Sequence, residues 1–378
     1  MTYSQADITV PYAVANFAEI RHKGYYYVDK TNYIPLLERY KAPVFLRPRR
    51  FGKSLLVSML AHYYDRNMAT QFKELFGGTW IGEHPTNEHN QYLVVRYDFS
   101  TTSVASKKED IEKNFNAVNC SPLRTLVERN RDLFGDFRFR EDGNASNMLV
   151  EVCEFISSHN LPPLYILIDE YDNFTNQLLV VYKDSLYQDL TTGESFLRTF
   201  FKVIKAGIGE GTIRTCFCTG VLPVTMDDLT SGYNIAEKLT LKPEFTNLLG
   251  FTHEEAAQYL KYVINKYGPQ TSFEELWTLI LNNYDGYHFL PSAEPLFNST
   301  ILTYFLKNFA ELRGGIPTEM VDENLRTDTS WIRRLTITLD NAKEMLDNLL
   351  MDGELYYSQA DLRSKFRGCN LNCVKACS

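Results

Sequence analysis

The chain has 378 residues, enough for two domains or for one large domain with an appendage. Hydrophobic residues make up 44% and charged residues 23%, and the 24 Tyr and 24 Phe exclude a disordered chain. A formal net charge of -8 excludes nucleic-acid binding through a broad basic surface, though a local basic patch remains at residues 47–53.

The chain opens MTYSQADITV, with no basic start followed by an apolar run, so no signal peptide is read. No stretch approaches the about 18 apolar residues that span a bilayer. The expected compartment is the cytoplasm, without a membrane partner. Strand and helix patterns alternate through the first two thirds, which predicts an α/β layered fold.

Residues 43–46, Pro-Val-Phe-Leu, read as a short buried strand. A basic loop follows, Arg47-Pro48-Arg49-Arg50-Phe51-Gly52-Lys53-Ser54, and then a helix with Leu55, Leu56, Met59 and Leu60 at helical spacing. The octet fits the phosphate-binding pattern G-x-x-x-x-G-K-[ST] except at its first position. Gly52 would let the backbone approach phosphates. Lys53 would place its charge on the β and γ phosphates, and Ser54 would offer a hydroxyl to Mg²⁺. Arg47 replaces the first glycine, and a residue with a Cβ disfavours positive φ. Pro48 fixes its own φ near about -65°, so the loop should be stiff. Arg49 and Arg50 add charge where phosphates would lie. A basic, solvated strand-to-helix turn is the plain alternative.

Residues 92–97 read as a second strand, ending in Asp98-Phe99-Ser100, and residues 148–157 as a helix. Residues 164–168, Leu-Tyr-Ile-Leu-Ile, form a continuous apolar run that ends on Asp169-Glu170. In P-loop ATPases the first such carboxylate holds Mg²⁺, and an acid beside it can activate the attacking water. Alone, the pair could be solvated charges at a strand end. Residues 195–208 read as a helix and 213–218 as another buried strand, ending at Thr219-Gly220. Thr219 could bond a γ-phosphate or the lytic water; a turn or helix cap is an equally good reading. Near-continuous apolar strands suit a parallel sheet covered on both faces, with ligands beyond the strands' carboxyl ends.

After about residue 246 the pattern turns helical. Thr252 and Glu255 have capping-box spacing, and helices are expected over residues 256–267, 273–283, 299–312 and 340–351. Tyr284-Asp285-Gly286-Tyr287 reads as a turn rather than a site. The seven cysteines are odd in number and scattered, against a disulfide framework. Cys216 and Cys218 read as core residues. Cys369, Cys373 and Cys377 in the tail lack a fourth metal ligand. There is no H-E-x-x-H and no G-x-S-x-G.

Taken together, these segments resemble the bacterial AAA-ATPase-like family, whose members often carry a PD-(D/E)xK-type nuclease domain behind the ATPase. The resemblance rests on Tyr27-Val28-Asp29-Lys30-Thr31, the Arg47 to Leu55 loop, Asp98-Phe99-Ser100, Leu167-Ile168-Asp169-Glu170-Tyr171-Asp172, Thr219-Gly220-Val221-Leu222-Pro223, Asp227-Asp228-Leu229-Thr230-Ser231-Gly232 and Tyr284-Asp285-Gly286-Tyr287. It covers roughly residues 15 to 310. It implies that Arg47 is the family's own form of the loop. It also implies a P-loop NTPase fold followed by a smaller helical or winged-helix domain. ATP and Mg²⁺ would be bound by Arg49, Arg50, Phe51, Gly52, Lys53, Ser54 and Leu55, with Ser54 and Asp169 on the metal and Glu170 and Thr219 catalytic. The corresponding division is a P-loop domain over 1–245, a helical domain over 246–330 and a remnant or C-terminal start over 331–378. No nuclease segment is read after residue 330, so a truncated or frameshifted form is expected. Two functions follow: a Mg²⁺-dependent ATPase switch or motor, or a nucleotide-dependent regulatory module with little turnover. A nucleic-acid or protein partner rests on family analogy alone, and an oligomer is compatible with either.

Overall fold

The computed structural model describes residues 8–103, 107–140, 143–173, 195–221, 233–290 and 293–322. The expected helix over 340–351, the segment 222–232 and the three tail cysteines lie outside the described residues. Five strands form one parallel sheet: β1 (Pro43–Leu46), β2 (Leu93–Asp98), β3 (Leu164–Asp169), β4 (Ile213–Gly220) and β5 (Glu237–Lys238). Their spatial order is β2-β3-β4-β1-β5. The main helices are α1 (Phe17–His22), α2 (Lys53–Tyr64), α3 (Lys108–Arg129), α4 (Ala145–His159), α5 (Phe196–Glu210), α6 (His253–Tyr267), α7 (Phe273–Tyr284) and α8 (Ser299–Glu311).

Successive strand residues point to opposite faces, and both faces are covered. Val44, Leu46, Ile166, Ile168, Cys216 and Cys218 join a core with residues of α3, α4 and α5. Phe45, Tyr165, Leu167 and Phe217 join a second core with residues of α1 and α2. This double burial explains why β3 is buried along its whole length and reads as an unbroken apolar run. Cys216 and Cys218 are free, buried thiols within the sheet. The strands run slightly past their apolar stretches, because the β2–β3 register continues to the pair Asp98↔Asp169. Two carboxylates therefore reach the same edge of the sheet.

A third core is built mainly from α6, α7 and α8. The capping box is present at the start of α6. Thr252 Oγ1 accepts from Glu255 N at 3.2 Å, and the Glu255 carboxylate accepts from Thr252 N at 2.8 Å. Such a cap contributes about 1 kcal/mol. Glu255 also accepts from Lys30 Nζ at 2.6 and 2.7 Å, and that amine donates to Asn247 O at 2.8 Å. Lys30 thus ties the N-terminal segment to the helical cluster. The charge lies almost wholly out of water, which only such a complete set of acceptors makes tolerable.

Candidate phosphate-binding site

The carboxyl ends of β1, β3 and β4 deliver the loop, the acidic pair and Thr219 to one edge of the sheet. Because β4 lies between β1 and β3, Thr219 stands between the loop and Asp169. Asp169 and Thr219 share the strand face that carries Leu167 and Phe217, which is the face covered by α2.

The loop closes on itself. Lys53 Nζ donates to the carbonyls of Arg47 and Pro48, both at 3.1 Å, which links the start of α2 to the start of the loop. The sequence placed the conformational problem at Arg47. The backbone instead turns left-handed at Arg50, with φ +71°, and at Gly52, with φ +91°. Arg47 has another job. Its fully buried guanidinium donates to the carbonyls of Leu46 at 3.0 Å, Thr240 at 3.2 Å and Thr246 at 2.9 Å. It lies between the rings of Phe45 and Phe289, 4.4 and 3.9 Å from their centroids. Burial pushes its pKa down to about 9, which still leaves it charged at neutral pH. Arg47 therefore fastens the end of β1 to the connection leading into the helical cluster, and its charge is spent on carbonyls rather than presented to a ligand.

At the acidic end, the Ser54 side chain favours the charged form of the Asp169 carboxylate, and Arg96 Nη2 lies 3.9 Å from its Oδ2. Burial raises the Asp169 pKa, with Glu170 and Asp98 adding to the rise, while Ser54 and Arg96 oppose it. Burial likewise lowers the pKa of Lys53, against the pull of Glu170, Asp169 and Asp172. Both groups are thus held in a dry setting that penalises their charges. Glu170 sits in a left-handed conformation, φ +49°, and its carboxylate accepts from Asn173 Nδ2 at 2.6 Å. The next residues lock β3 to β4. Tyr171 N donates to Thr219 O at 3.1 Å, and Val221 N donates to both oxygens of Asp172 at 3.2 and 3.1 Å. A Cβ on Gly220 would fall 2.4 Å from Asp172 Oδ1, so only glycine fits there. Two motifs distant in sequence are one packed junction in the fold.

Beside the loop lies a cavity of about 510 Å³. Arg49, Arg50, Phe51, Gly52, Lys53, Ser54, Leu55 and Glu170 all line it, and the opposite wall includes Tyr26, Val28, Gly250 and Tyr259. Asp169 is not on the cavity wall and is reached through Ser54. Thr219 is fully buried, and its Oγ1 has no hydrogen-bond partner among the described residues. A buried hydroxyl without a partner is rare and marks a place where one is wanted. The buried Lys53 amine and the Ser54 hydroxyl on the cavity wall, with the Asp169 carboxylate behind them, fit a phosphate-bearing ligand and a cation, whereas Thr219 is not on that wall.

Sequence reasoning gave no site role to three groups. Arg96 and Asp98 were legible in principle, since they alternate with buried Val95 and Tyr97 and so share the face of Asp169. Tyr287, within the segment read as a turn, packs edge-on against the buried Phe51 ring, with centroids 4.9 Å apart. The turn itself is real, with Gly286 at φ +120°. Asn298, Ser299 and Thr300 meet the loop from the start of α8. No local signal could have announced them, because the contact spans about 250 residues.

A family model described as "Predicted AAA-ATPase" matches residues 11–230, more than half of the chain, and the chain belongs to that family. An "Uncharacterized protein in vnfD 5'region" of Azotobacter chroococcum mcd 1 is 26% identical over 255 residues, which are 65% of this chain and 43% of that protein. The chain thus spans less than half the length of this relative. Nucleotide binding is the property that family membership supports in general. Among the described residues, no helix is long and apolar enough to cross a membrane.

Proposed function

We propose that the chain is a Mg²⁺-dependent ATPase that acts as a conformational switch. The observation that carries this reading is the convergence of Lys53, Ser54, Asp169 and Glu170 beside one cavity, at the carboxyl edge of a parallel sheet. Lys53 and the loop amides would bind the β and γ phosphates. Ser54 and Asp169 are the residues that would hold Mg²⁺, which when bound neutralises charge on the phosphate oxygens. Glu170 would take the proton of the water whose oxygen attacks the γ-phosphorus as the bond to the β-phosphate oxygen breaks. Thr219 would satisfy its hydroxyl on the transferred phosphoryl group or on that water. Arg49 and Arg50, exposed at the cavity, would offset the remaining charge. The apolar wall around Val28 and Tyr259 would take the base. The helical cluster from about residue 246 would be the domain that moves.

Calorimetric titration with ATP and Mg²⁺, paired with phosphate release, tests this. The expected result is binding in the wild type, its loss in Lys53→Ala, and release that Glu170→Gln abolishes without loss of binding. Equal release by all three proteins would sink the proposal. One observation favours a second reading, a regulatory module with little turnover: Glu170 Oε2 already accepts from Asn173 Nδ2, which leaves one carboxylate oxygen to meet a water. Tight ATP binding without phosphate release would select it. A nucleic-acid or protein partner remains a proposal by family analogy, and DNA cleavage by this chain would contradict the reading.

A further inference from the structure

The middle of the phosphate loop is held from outside by the start of α8. Arg50 O accepts from Thr300 Oγ1 at 2.7 Å, from Thr300 N at 3.2 Å and from Ser299 Oγ at 3.3 Å. Arg49 O accepts from Asn298 Nδ2 at 3.2 Å. Asn298 is buried, and its Oδ1 caps α8 by accepting from Thr300 N at 3.1 Å and Ile301 N at 3.3 Å. One side chain therefore serves the helix and the loop at once. Gly250, Tyr287 and Phe289 close around the ring of Phe51, the next loop residue.

These bonds set the direction of two amides. In a trans peptide the C=O and N–H point opposite ways. With the carbonyls of Arg49 and Arg50 turned toward α8, the N–H groups of Arg50 and Phe51 turn away from it. Neither N–H meets an acceptor among the described residues. Arg50 holds a left-handed φ without being glycine, a conformation that persists only where the surroundings over-determine it. The ties from Ser299 and Thr300 are what over-determine it.

We propose that Asn298, Ser299 and Thr300 are positioning residues that hold the phosphate loop in its nucleotide-accepting shape, and that a bound nucleotide in turn tightens the docking of α8. The second half follows from linkage, since a contact that favours nucleotide binding is favoured by the nucleotide to the same degree. The proposal rests on the ATP-binding reading above. It supplies that reading with a route from phosphates to the helical cluster that passes through three side chains.

Amide hydrogen exchange on the whole chain tests it in Thr300→Val, which removes the hydroxyl, and in Thr300→Ser, which restores it. Without nucleotide, the amides of residues 300 and 301, which are bonded at this contact, should exchange about fivefold faster in Thr300→Val, the factor of an ordinary hydrogen bond, and at the wild-type rate in Thr300→Ser. ATP with Mg²⁺ should slow exchange in α8 of the wild type and do so less in Thr300→Val, whose ATP affinity should be about fivefold weaker. Unchanged exchange at residues 300 and 301 in Thr300→Val overturns the proposal whether or not ATP binds. ATP binding by the wild type that leaves α8 exchange unaltered overturns the coupling. A wild type that takes up no ATP overturns the function reading, and with it the coupling, while the nucleotide-free exchange still decides whether the hydroxyl shapes the loop.

Discussion

The two ends of the candidate site are built in opposite ways. At the loop end, the protein itself meets most of the buried polar groups: Arg47 by carbonyls at its two terminal nitrogens, though its Nε has no partner among the described residues, Lys53 by carbonyls, and the carbonyls of Arg49 and Arg50 by the start of α8. At the acidic end the accounts are left open. Thr219 has a buried hydroxyl with no partner among the described residues, and the buried Asp169 accepts from Glu170 N at 3.1 Å with a guanidinium no nearer than 3.9 Å. A satisfied polar network rigidifies, whereas an unsatisfied one costs stability that a ligand can return. The loop end thus supplies shape and the acidic end supplies demand. Substitutions at the two ends should separate stability from activity.

The largest effect is expected at Glu170. Glu170→Gln keeps the shape and loses the base, so phosphate release should fall by about 10³, within the range for general-base removal, with ATP affinity held. Measuring both quantities on one preparation sharpens the comparison, because a parallel loss of affinity would place Glu170 in the binding shell instead. Lys53→Ala follows. It should weaken ATP binding by about 10² through loss of a dry charge–phosphate contact. It should change the thermal midpoint little, because the buried amine's own desolvation disappears with its hydrogen bonds.

Arg47→Met should do the reverse. It keeps much of the volume between Phe45 and Phe289 but strips several buried carbonyls of their donor. A stability loss of about 3 kcal/mol is expected in urea unfolding, since each abandoned acceptor carries its own desolvation cost. A variant of normal stability that no longer binds ATP would break the comparison, for it would return Arg47 to the ligand.

Much of this was legible before the fold. Four of the five strands follow from apolar runs bounded by turn residues, whereas β5, two exposed charged residues, was not read; the acidic pair stands out because charges end an otherwise unbroken buried strand. The turn into α2 was legible at Gly52, which takes a left-handed φ just before the helix begins at Lys53. Arg47 was misplaced for a physical reason: it occupies a glycine's place in a pattern defined by ligand contact, while its partners Thr240, Thr246 and Phe289 lie about 190 to 240 residues away. Thr300 was invisible for the same reason. Periodicity reports which face is buried, and it does not report what a polar residue on that face will meet.

Thr219 gives the smallest effect and the sharpest division. If its hydroxyl caps a turn or bonds a neighbour, Thr219→Val removes that bond and destabilises the protein by about 1 kcal/mol. If it is an orphan waiting for the phosphoryl group or the lytic water, valine replaces an unsatisfied buried oxygen with a methyl group of the same shape. Stability should then rise by about 1 kcal/mol, while phosphate release falls roughly tenfold with little change in ATP affinity. The signs of the two shifts are opposite under this reading, and a purely structural hydroxyl cannot produce that pattern. The outcome also bears on the wider contrast. A gain in stability with a loss in turnover would mean that the acidic end is kept unsatisfied at the expense of the folded state, which is the demand ascribed to it above.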